Sequence, residues 1–441
     1  MKCLPRPKRS ENGFSSAGCG ASPGPARRWS WWTPSLAGLV IDPQAGTGGV
    51  IRRRILRRAQ TGGVSMLTPE SRSRDFPALH NMVYLNSAAE GIPPREVGQA
   101  LQQYFEDKLL GMDGRVPHAE QHRLARGLVA EMYGLEPDEV AICSCSSEAF
   151  NLAAWALRLQ PGDEVVINDL DFPAGVTPWL QPTSPASVRL WRSRDGILDL
   201  ADLAHLLSPR TRFVTTSLVS FYNGFQVSLP ELARVVRRHS PALLGVDVTQ
   251  VLGRRELDLK DADLIISSTH KWILSSHGGG LVGVPKRRAA EWTVPAGGWA
   301  NLYDPFGPHR FDGARSLPGA ASFATGMPNY PAIYCLRAAL QYIRQVGVGA
   351  IDAAATPLVE HCLAELAAMP VELITPRDPA QVAGIIAFRH PRAEAIHQHL
   401  RGRNIHVMYH AGRIRVAIHG YNTSADIVRF LGELKHALQT V

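Results

Sequence analysis

The sequence predicts an α/β protein with a large domain built on a mostly parallel sheet, followed by a smaller α+β domain. Between residues 140 and 267, short apolar segments typical of buried strands alternate with amphipathic segments typical of helices. Strands that alternate with helices are joined by right-handed crossovers, which make a sheet parallel. Beyond residue 331, a long helix precedes shorter, mixed elements. With 441 residues, 45% of them hydrophobic, the chain is long enough for two such domains.

Residues 1–75 are predicted to form a disordered, basic extension. They are rich in Gly, Pro, Ser and Arg and show no hydrophobic period, so they bury too little surface to fold. Three interpretations are open: an organelle transit peptide, a basic arm for nucleic acid or membrane, or a start assigned too far upstream, with Met66 as the initiator. The net charge of +8 comes from this extension, so the remaining body is close to neutral. We therefore expect neither nucleic acid nor membrane as a partner.

The large domain is expected at residues 76–330 and the smaller one at 331–441, with residues 76–100 completing the smaller domain. A strand of the N-terminal segment is predicted at 82–85, and strands of the large domain at 140–143, 164–168, 212–218, 243–248 and 264–267. Its helices are predicted at 95–110, 119–133, 148–157, 201–207 and 229–238. The smaller domain is predicted to have helices at 332–346, 351–367 and from Ser424, and strands near 371–374, 384–388 and 413–418.

Lys271 follows the apolar strand at 264–267, and the carboxyl ends of strands are where open α/β sheets bind ligands. A lysine held there, between a histidine and a tryptophan, is better placed to be desolvated and nucleophilic than a lysine on a helix surface. Asp247 ends an earlier strand in the same way. A lysine that forms a Schiff base and an aspartate that binds a pyridine nitrogen are what pyridoxal 5′-phosphate requires of a protein.

Two segments are candidates for the phosphate of such a cofactor. Ser146 and Ser147 join a strand to a helix, where backbone N–H groups and the helix dipole suit an anion. An ordinary helix cap is the alternative interpretation. Ser268 and His270 immediately precede the lysine and are within reach of the same phosphate, although His270 also suits a plain turn.

Four further side chains are candidates for contacts with the ring and the substrate. Phe172 follows another strand and can lie flat on a pyridine ring, with a plain core role as the alternative. Gln250 can donate a hydrogen bond to the phenolate oxygen of the ring. Arg413 and Arg415 fall on one face of a predicted strand, where a guanidinium suits a substrate carboxylate; a solvated edge charge is the alternative.

Other patterns are rejected. Residues 278–283 fit the dinucleotide fingerprint GxGxxG, but a strand follows rather than a helix. The six cysteines lack the spacing of a zinc site and are expected to be reduced, in a cytoplasmic protein. His397 and His399 point to different faces of a helix, so no metal site is expected there.

At these residues the chain resembles the class V aminotransferase family of fold-type I pyridoxal-phosphate enzymes, which includes cysteine desulfurases, kynureninases and isopenicillin N epimerase-like proteins. The motifs occur in order between about residues 80 and 440: Tyr84-Leu-Asn-Ser-Ala-Ala-Glu-Gly, Ser146-Ser-Glu-Ala-Phe-Asn, Asp247-x-x-Gln250, Ser268-x-His-Lys271, and Arg415 ahead of Tyr421-Asn-Thr. The resemblance implies a seven-stranded type of sheet, pyridoxal phosphate as cofactor and a homodimer.

The resemblance also implies a role for each matching residue. Lys271 would form the Schiff base, Asp247 would pair with the ring nitrogen, and Gln250 would contact the phenolate oxygen. Ser147, Ser268 and His270 would hold the phosphate. Arg415 would bind the α-carboxylate of the substrate, with Asn86 as a second substrate contact.

Three departures from the family pattern bear on the reaction. Phe172-Pro resembles the kynureninase pattern, whereas desulfurases stack a histidine on the ring. Residues 404–412 lack the nucleophilic cysteine of desulfurases. In the family, a Gly-Thr pair reaches the phosphate of the neighbouring subunit. This chain has Gly326-Met327 at that position, so either Thr325 compensates or the contact is lost.

The expected function is therefore that of a pyridoxal-phosphate enzyme acting on an amino acid, with transamination as the first choice. A C–S lyase resembling desulfurases, or an epimerase, is the alternative. A catalytically idle binding module on the same fold is the alternative from another class of protein.

Overall fold

The structure, a computed structural model, describes residues 66–440. Its strands are β1 (Val83–Tyr84), β2 (Val140–Cys143), β3 (Glu164–Asn168), β4 (Ser187–Trp191), β5 (Thr211–Ser217), β6 (Leu243–Asp247), β7 (Leu264–Ser268), β8 (Gly280–Gly283), β9 (Glu372–Leu373), β10 (Ile385–Arg389), β11 (Ile405–His406), β12 (Met408–His410) and β13 (Arg413–Ala417). Its helices are α1 (Pro69–Asp75), α2 (Arg95–Leu109), α3 (Arg115–Tyr133), α4 (Ser146–Ala156), α5 (Pro173–Val176), α6 (Leu200–Leu206), α7 (Leu229–His239), α8 (Tyr330–Val346), α9 (Val348–Ala367), α10 (Ala393–Gly402) and α11 (Ser424–Thr440).

The largest sheet has seven strands in the order β2-β8-β7-β6-β5-β3-β4. Only β8 is antiparallel to its neighbours, and the pairs from β7 to β4 are all parallel. Six strands therefore point their carboxyl ends to one edge of the sheet. The segments that follow β3, β5, β6 and β7 meet at that edge, which is where such sheets bind ligands.

Two hydrophobic cores lie on opposite faces of this sheet, because consecutive strand residues point to opposite sides. In β7, Leu264 and Ile266 pack into one core together with Phe150 of α4. Ile265 packs into the other core together with Leu232 of α7. The inner strands are covered on both sides, which explains why their sequences are continuous apolar runs.

A second, antiparallel sheet has the order β12-β13-β10-β9. Helices α9, α10 and α11 share a core with it, to which Val359, Leu400 and Phe430 contribute. Strand β1 pairs in parallel with β11, and Asn86 forms a further bridge to Ala417 of β13. The segment after β1 thus connects the second sheet with the carboxyl edge of the first. The domain boundary at 330/331 stays a prediction.

The predicted α/β class with a mostly parallel sheet is confirmed, and three local expectations differ from the structure. The basic extension was expected to continue to residue 75, but α1 is helical: Thr68 caps it, and Arg72 forms an ion pair of 3.2 Å with Asp426. The rest of that extension, residues 1–65, lies outside the described residues. Strands β4 and β12 were not predicted, since their side chains are partly exposed and give a weak apolar signal.

The glycine-rich segment forms a strand, as expected: β8 occupies Gly280–Gly283, between β2 and β7. No helix within residues 66–440 is long and apolar enough to cross a membrane.

Candidate active site

Lys271 lies just beyond the carboxyl end of β7, largely removed from water. Its Nζ is 5.1 Å from the centroid of the Phe172 ring. Burial lowers the pKa of Lys271 to about 8; the charge of Asp247 opposes this shift, and the charge of Arg415 adds to it. Roughly a tenth of the lysine is therefore uncharged at pH 7. The uncharged form is the one that acts as a nucleophile or a base.

The backbone on both sides of Lys271 is held in place. The N–H of Gly91 donates to the carbonyl of His270 at 2.8 Å. A Cβ atom on Gly91 would lie 2.0 Å from the carbonyl oxygen of Lys271, so only glycine allows this approach. On the other side, Trp272 is buried and donates from Nε1 to Oε1 of Gln250 at 2.7 Å. The lysine side chain thus extends from a fixed backbone.

Asp247 and Gln250 lie at the end of β6 and on the turn that follows it. Oδ1 of Asp247 accepts a hydrogen bond from the N–H of Thr249 at 2.7 Å. Burial raises the pKa of Asp247, while hydrogen bonds from Thr249 and the charge of Lys271 lower it. Nε2 of Gln250 donates to the carbonyl of Ala88 at 3.2 Å, which leaves its second N–H for a ligand.

Asp171 is a second carboxyl group at this edge, and sequence reasoning missed it. Its Oδ1 accepts from the N–H of Ser217 at 2.7 Å, and its Oδ2 from Nδ2 of Asn168 at 2.9 Å. Asp171 follows β3 and Asp247 ends β6, and β5 lies between these two strands. Ser217 of β5 is the register partner of Asp247, so it links the two carboxyl groups. Burial raises the pKa of Asp171 to about 7, and the charge of Asp247 adds to the effect. Only the strand order reveals this neighbour, since the two aspartates are far apart in sequence.

The N-terminus of α4 offers backbone N–H groups to an anion. Ser146 and Ser147 lie in its first turn, after the capping residue Cys145, whose Sγ accepts a backbone hydrogen bond at 3.4 Å. A Cβ atom on Gly280 would lie 2.7 Å from the N atom of Ser146, so β8 packs directly against this turn. Ser268 is the register partner of Gly280, and its Oγ is buried without a hydrogen-bond partner. An unpaired hydroxyl beside a helix N-terminus fits a phosphate.

His270 contacts a second histidine rather than a hydrogen-bond partner. Its ring stacks on that of His277, with centroids 4.5 Å apart and planes at 18°. Nε2 of His277 lies 2.9 Å from Oε1 of Glu90. Burial lowers the pKa of His270 to about 4, and the charge of Lys271 adds to this shift. The imidazole is therefore neutral at neutral pH and suits a phosphate as a hydrogen-bond donor, not as a cation.

Phe172 and Arg415 both contact Phe221, in the turn after β5. The rings of Phe172 and Phe221 meet edge to face at 5.1 Å, and Phe172 remains 43% exposed, so part of its ring is free for a planar ligand. Nη1 of Arg415 donates to the carbonyl of Phe221 at 2.8 Å. Burial lowers the pKa of Arg415 to about 9.

Arg415 and Asn86 each carry a buried polar atom without a partner. These atoms are Nε of Arg415 and Oδ1 of Asn86. Asn86 forms a bridge to Ala417 of β13, the strand that carries Arg415. Buried polar atoms are normally hydrogen-bonded, so both positions fit a polar ligand such as a carboxylate. Together with Ser268, they make the site suitable for pyridoxal phosphate and an amino acid.

Residues Thr325 and Met327 lie apart from this group. The carbonyl of Thr325 accepts the N–H groups of Trp299 and Ala300 at 3.1 and 3.4 Å. The side chain of Met327 is 51% exposed and contains no hydroxyl for a phosphate. The structure therefore brings together the predicted residues of a single subunit but not these two.

Comparison with known proteins agrees with this geometry. The sequence matches the family described as Aminotransferase class-V over residues 83–430. It is 28% identical over 376 residues to the uncharacterized aminotransferase YcbU of Bacillus subtilis, covering 85% of this chain and 97% of that protein. It is 25% identical over 408 residues to a probable cysteine desulfurase of Pyrococcus abyssi, covering 85% and 99%.

Solved structures show the same fold. The chain is similar to the apo structure of a cysteine desulfurase from Thermococcus onnurineus, with a TM-score of 0.77, 23% identity, and coverage of 86% and 100%. It is also similar to the cystine C–S lyase C-DES in complex with cysteine persulfide, with a TM-score of 0.74, 23% identity, and coverage of 81% and 98%. With the family match and the site geometry, these findings show that the chain belongs to the class V aminotransferase family of pyridoxal-phosphate-dependent enzymes.

Proposed function

We propose that the protein transfers the amino group of an amino acid, with Lys271 as the residue that binds the cofactor and moves the proton. The observation that carries this proposal is a half-buried lysine of lowered pKa above the ring of Phe172, with Arg415 free of any ion pair within residues 66–440. A lysine of this kind supplies the base, and the arginine orients the substrate.

When bound, pyridoxal phosphate supplies an aldehyde that condenses with amines and a ring that withdraws electrons from the α-carbon of the substrate. Lys271 takes the α-proton, since its pKa of about 8 leaves part of it unprotonated at neutral pH. Asp247 would keep a proton at the ring nitrogen, and Gln250 would donate to the phenolate oxygen. Phe172 would restrain the ring.

The remaining predicted residues would hold the two ends of the bound molecules. Ser146, Ser147 and Ser268 surround the helix N-terminus that suits the phosphate, and His270 adds a neutral donor. At the other end, Arg415 with Asn86 would hold the α-carboxylate.

Persulfide chemistry has less support than transamination. Residues 404–412 contain no cysteine. Of the described cysteines, Cys143, Cys335 and Cys362 are buried, while Cys145 caps α4 and is occupied by a backbone hydrogen bond. No described thiol therefore extends from a loop before β13.

Elimination at a carbon–sulfur bond, or epimerisation, is the second candidate. Both reactions begin with the same removal of the α-proton, which Lys271 serves equally well. The relatives and solved structures include cysteine desulfurases and a cystine C–S lyase, which favours the elimination.

A panel of amino acids separates these reactions. The purified enzyme is incubated with each amino acid and a keto acid acceptor, and the products are assayed for new keto acid, for sulfide and for inverted stereochemistry. We expect new keto acid without sulfide, and no product with Lys271→Ala. Sulfide without amino transfer would replace transamination by elimination as the activity.

We also propose a cytoplasmic homodimer. Free thiols at all four described cysteines suit a reducing compartment. Large apolar side chains are exposed along 101–116, which is typical of an interaction surface. In a dimer, the segment around Thr325 would face the neighbouring subunit, as the family pattern implies.

A further inference from the structure

Two arginines, rather than one, lie buried beside the site without an acidic partner. Arg413 and Arg415 are 4% and 3% exposed. They occupy alternate positions of β13, so both side chains project from the same face of that strand. Neither forms an ion pair within residues 66–440, whereas Arg389, opposite Arg413 on β10, pairs with Glu372 at 3.3 Å.

Phe221 and Tyr222 connect both arginines to the cofactor residues. Nη1 of Arg415 donates to the carbonyl of Phe221, and Nη1 of Arg413 donates to the carbonyl of Tyr222. Cζ of Arg413 lies 4.1 Å from the centroid of the Tyr222 ring and 5.7 Å from that of Phe221. The same Phe221 ring meets Phe172 edge to face at 5.1 Å. The two guanidinium groups therefore both contact the segment 221–222, which adjoins Phe172, the ring that faces Lys271.

The charge of Arg413 has no counterpart in the described chain. A guanidinium has five N–H donors, and only one of those of Arg413 has a protein acceptor. Contacts with aromatic faces stabilise a cation but do not neutralise it. A buried charge is costly unless an opposite charge accompanies it. One substrate carboxylate accounts for Arg415. The nitrogens of Arg413 that lack a protein acceptor are not fully enclosed, so a second anion can reach them.

We propose that the substrate is an amino acid whose side chain carries a second anionic group, and that Arg413 binds this group while Arg415 binds the α-carboxylate. The inference rests on the proposed function of the site. Alternate residues of a strand are about 7 Å apart. Flexible arginines at that spacing can reach two anions separated by a side chain of two to four atoms, as in aspartate, glutamate or cysteate. Guanidinium groups bind both carboxylates and sulfonates through paired hydrogen bonds.

Substrate preference tests this assignment directly. For the cofactor-loaded enzyme, kcat/KM is measured with aspartate, glutamate and cysteate, and with alanine and 2-aminobutyrate as neutral amino acids of similar size. We expect a preference for at least one acidic substrate of about tenfold or more, from the hydrogen bonds to a charged group. A preference of the wild type for the neutral amino acids would overturn the proposal.

Variants separate recognition of the second anion from a purely structural role. Arg413→Gln should lower kcat/KM for the acidic substrate by about tenfold or more, mainly through KM, and leave 2-aminobutyrate nearly unchanged. Arg413→Lys should recover part of the loss, because it restores the charge. The matched control is Arg194→Gln, which removes an exposed guanidinium that pairs with Asp202 at 2.8 Å and should keep the preference. An equal loss for acidic and neutral substrates in Arg413→Gln would contradict the proposal.

Binding of unreactive anions distinguishes failure of this inference from failure of the proposed reaction. Glutarate and succinate should raise the melting temperature of the wild type more than butyrate does, and Arg413→Gln should abolish the difference. If no amino acid reacts but this pattern holds, the inference stands and the proposed reaction is wrong. If neutral amino acids are transaminated and glutarate has no greater effect than butyrate, the inference is wrong and the reaction stands.

Discussion

At the scale of single residues, burial and neighbouring charges set the pKa of Lys271. Removal from water and the charge of Arg415 disfavour the ammonium form, while the carboxylate of Asp247 favours it. A pKa of about 8 is close to the pH at which such an enzyme works, so the residue both accepts and returns a proton readily. Substitution of Asp247 therefore affects the lysine as well as the ring nitrogen.

Asp171 makes the stability of the cofactor-free protein depend on pH. In the folded chain its carboxyl group keeps its proton up to about pH 7. In the unfolded chain the carboxyl group has its ordinary pKa of about 3.9. The folded state therefore binds more protons between these values, and stability falls as the pH rises from about 4 to 7. Asn cannot titrate, so between pH 4 and pH 8 the melting temperature of Asp171→Asn should fall less than that of the wild type, by roughly 2–4 °C.

Thermal unfolding of wild type and variant at the two pH values checks this expectation. An equal change of melting temperature at pH 4 and pH 8 would show that the carboxyl group does not titrate in the folded protein as described.

The sequence was sufficient to place residues whose position depends only on their own strand. Lys271 and Asp247 each stand at the end of an apolar run, and a strand end is visible without the fold. Asp171 was not predicted, because its environment depends on Ser217 and Asp247 from other strands. Arg413 was predicted only to share a strand face with Arg415, because its contacts with the turn after β5 are not visible in the sequence.

At the scale of elements, β8 packs directly against the start of α4, where we propose that the phosphate binds. A Cβ atom on Gly280 would lie 2.3 Å from the carbonyl oxygen of Cys145, which is far inside van der Waals contact. Gly280→Ala should push α4 away from the sheet and weaken cofactor binding by about tenfold or more. Titration of the variant with pyridoxal phosphate, followed by absorbance, measures the loss.

Gly297→Ala is the matched control for that titration. A Cβ atom on Gly297 meets no atom within 4 Å, so this variant should bind the cofactor as the wild type does. Equal affinities for both glycine variants would contradict the described packing of β8 on α4.

The predicted elements differ from the observed ones mainly where strands lie at edges. Buried strands such as β3 were predicted with their observed bounds, since they are apolar on both faces. Strand β4 alternates exposed and half-buried side chains at the edge of the sheet, and a loop gives a similar pattern. Helix α1 was missed because only seven residues form it and its stability depends on Asp426, distant in sequence.

At the scale of the whole molecule, an exposed apolar surface on α2 is the proposed subunit contact. Leu101, Phe105 and Leu109 follow at intervals of four residues, so they lie on one face of the helix, and they are 47%, 54% and 66% exposed. The double variant Phe105→Glu, Leu109→Glu should convert a dimer to a monomer, because it places charges at an apolar contact. Light scattering after size-exclusion chromatography measures the mass.

Val428→Glu serves as its control, since Val428 is 63% exposed on α11, at another surface. This variant should keep the mass of the wild type. A wild-type mass equal to one chain would contradict the proposed homodimer.

The identity of the cofactor-binding lysine is the central claim, and reduction with borohydride tests it most directly. Borohydride fixes the cofactor to the amine that holds it, and mass spectrometry of peptides then locates the pyridoxyl group. The group should be found on Lys271, should be absent from that position in Lys271→Ala, and should be retained when the exposed Lys260 is replaced by alanine. A pyridoxyl group on another lysine of the wild-type protein, with none on Lys271, would contradict this account.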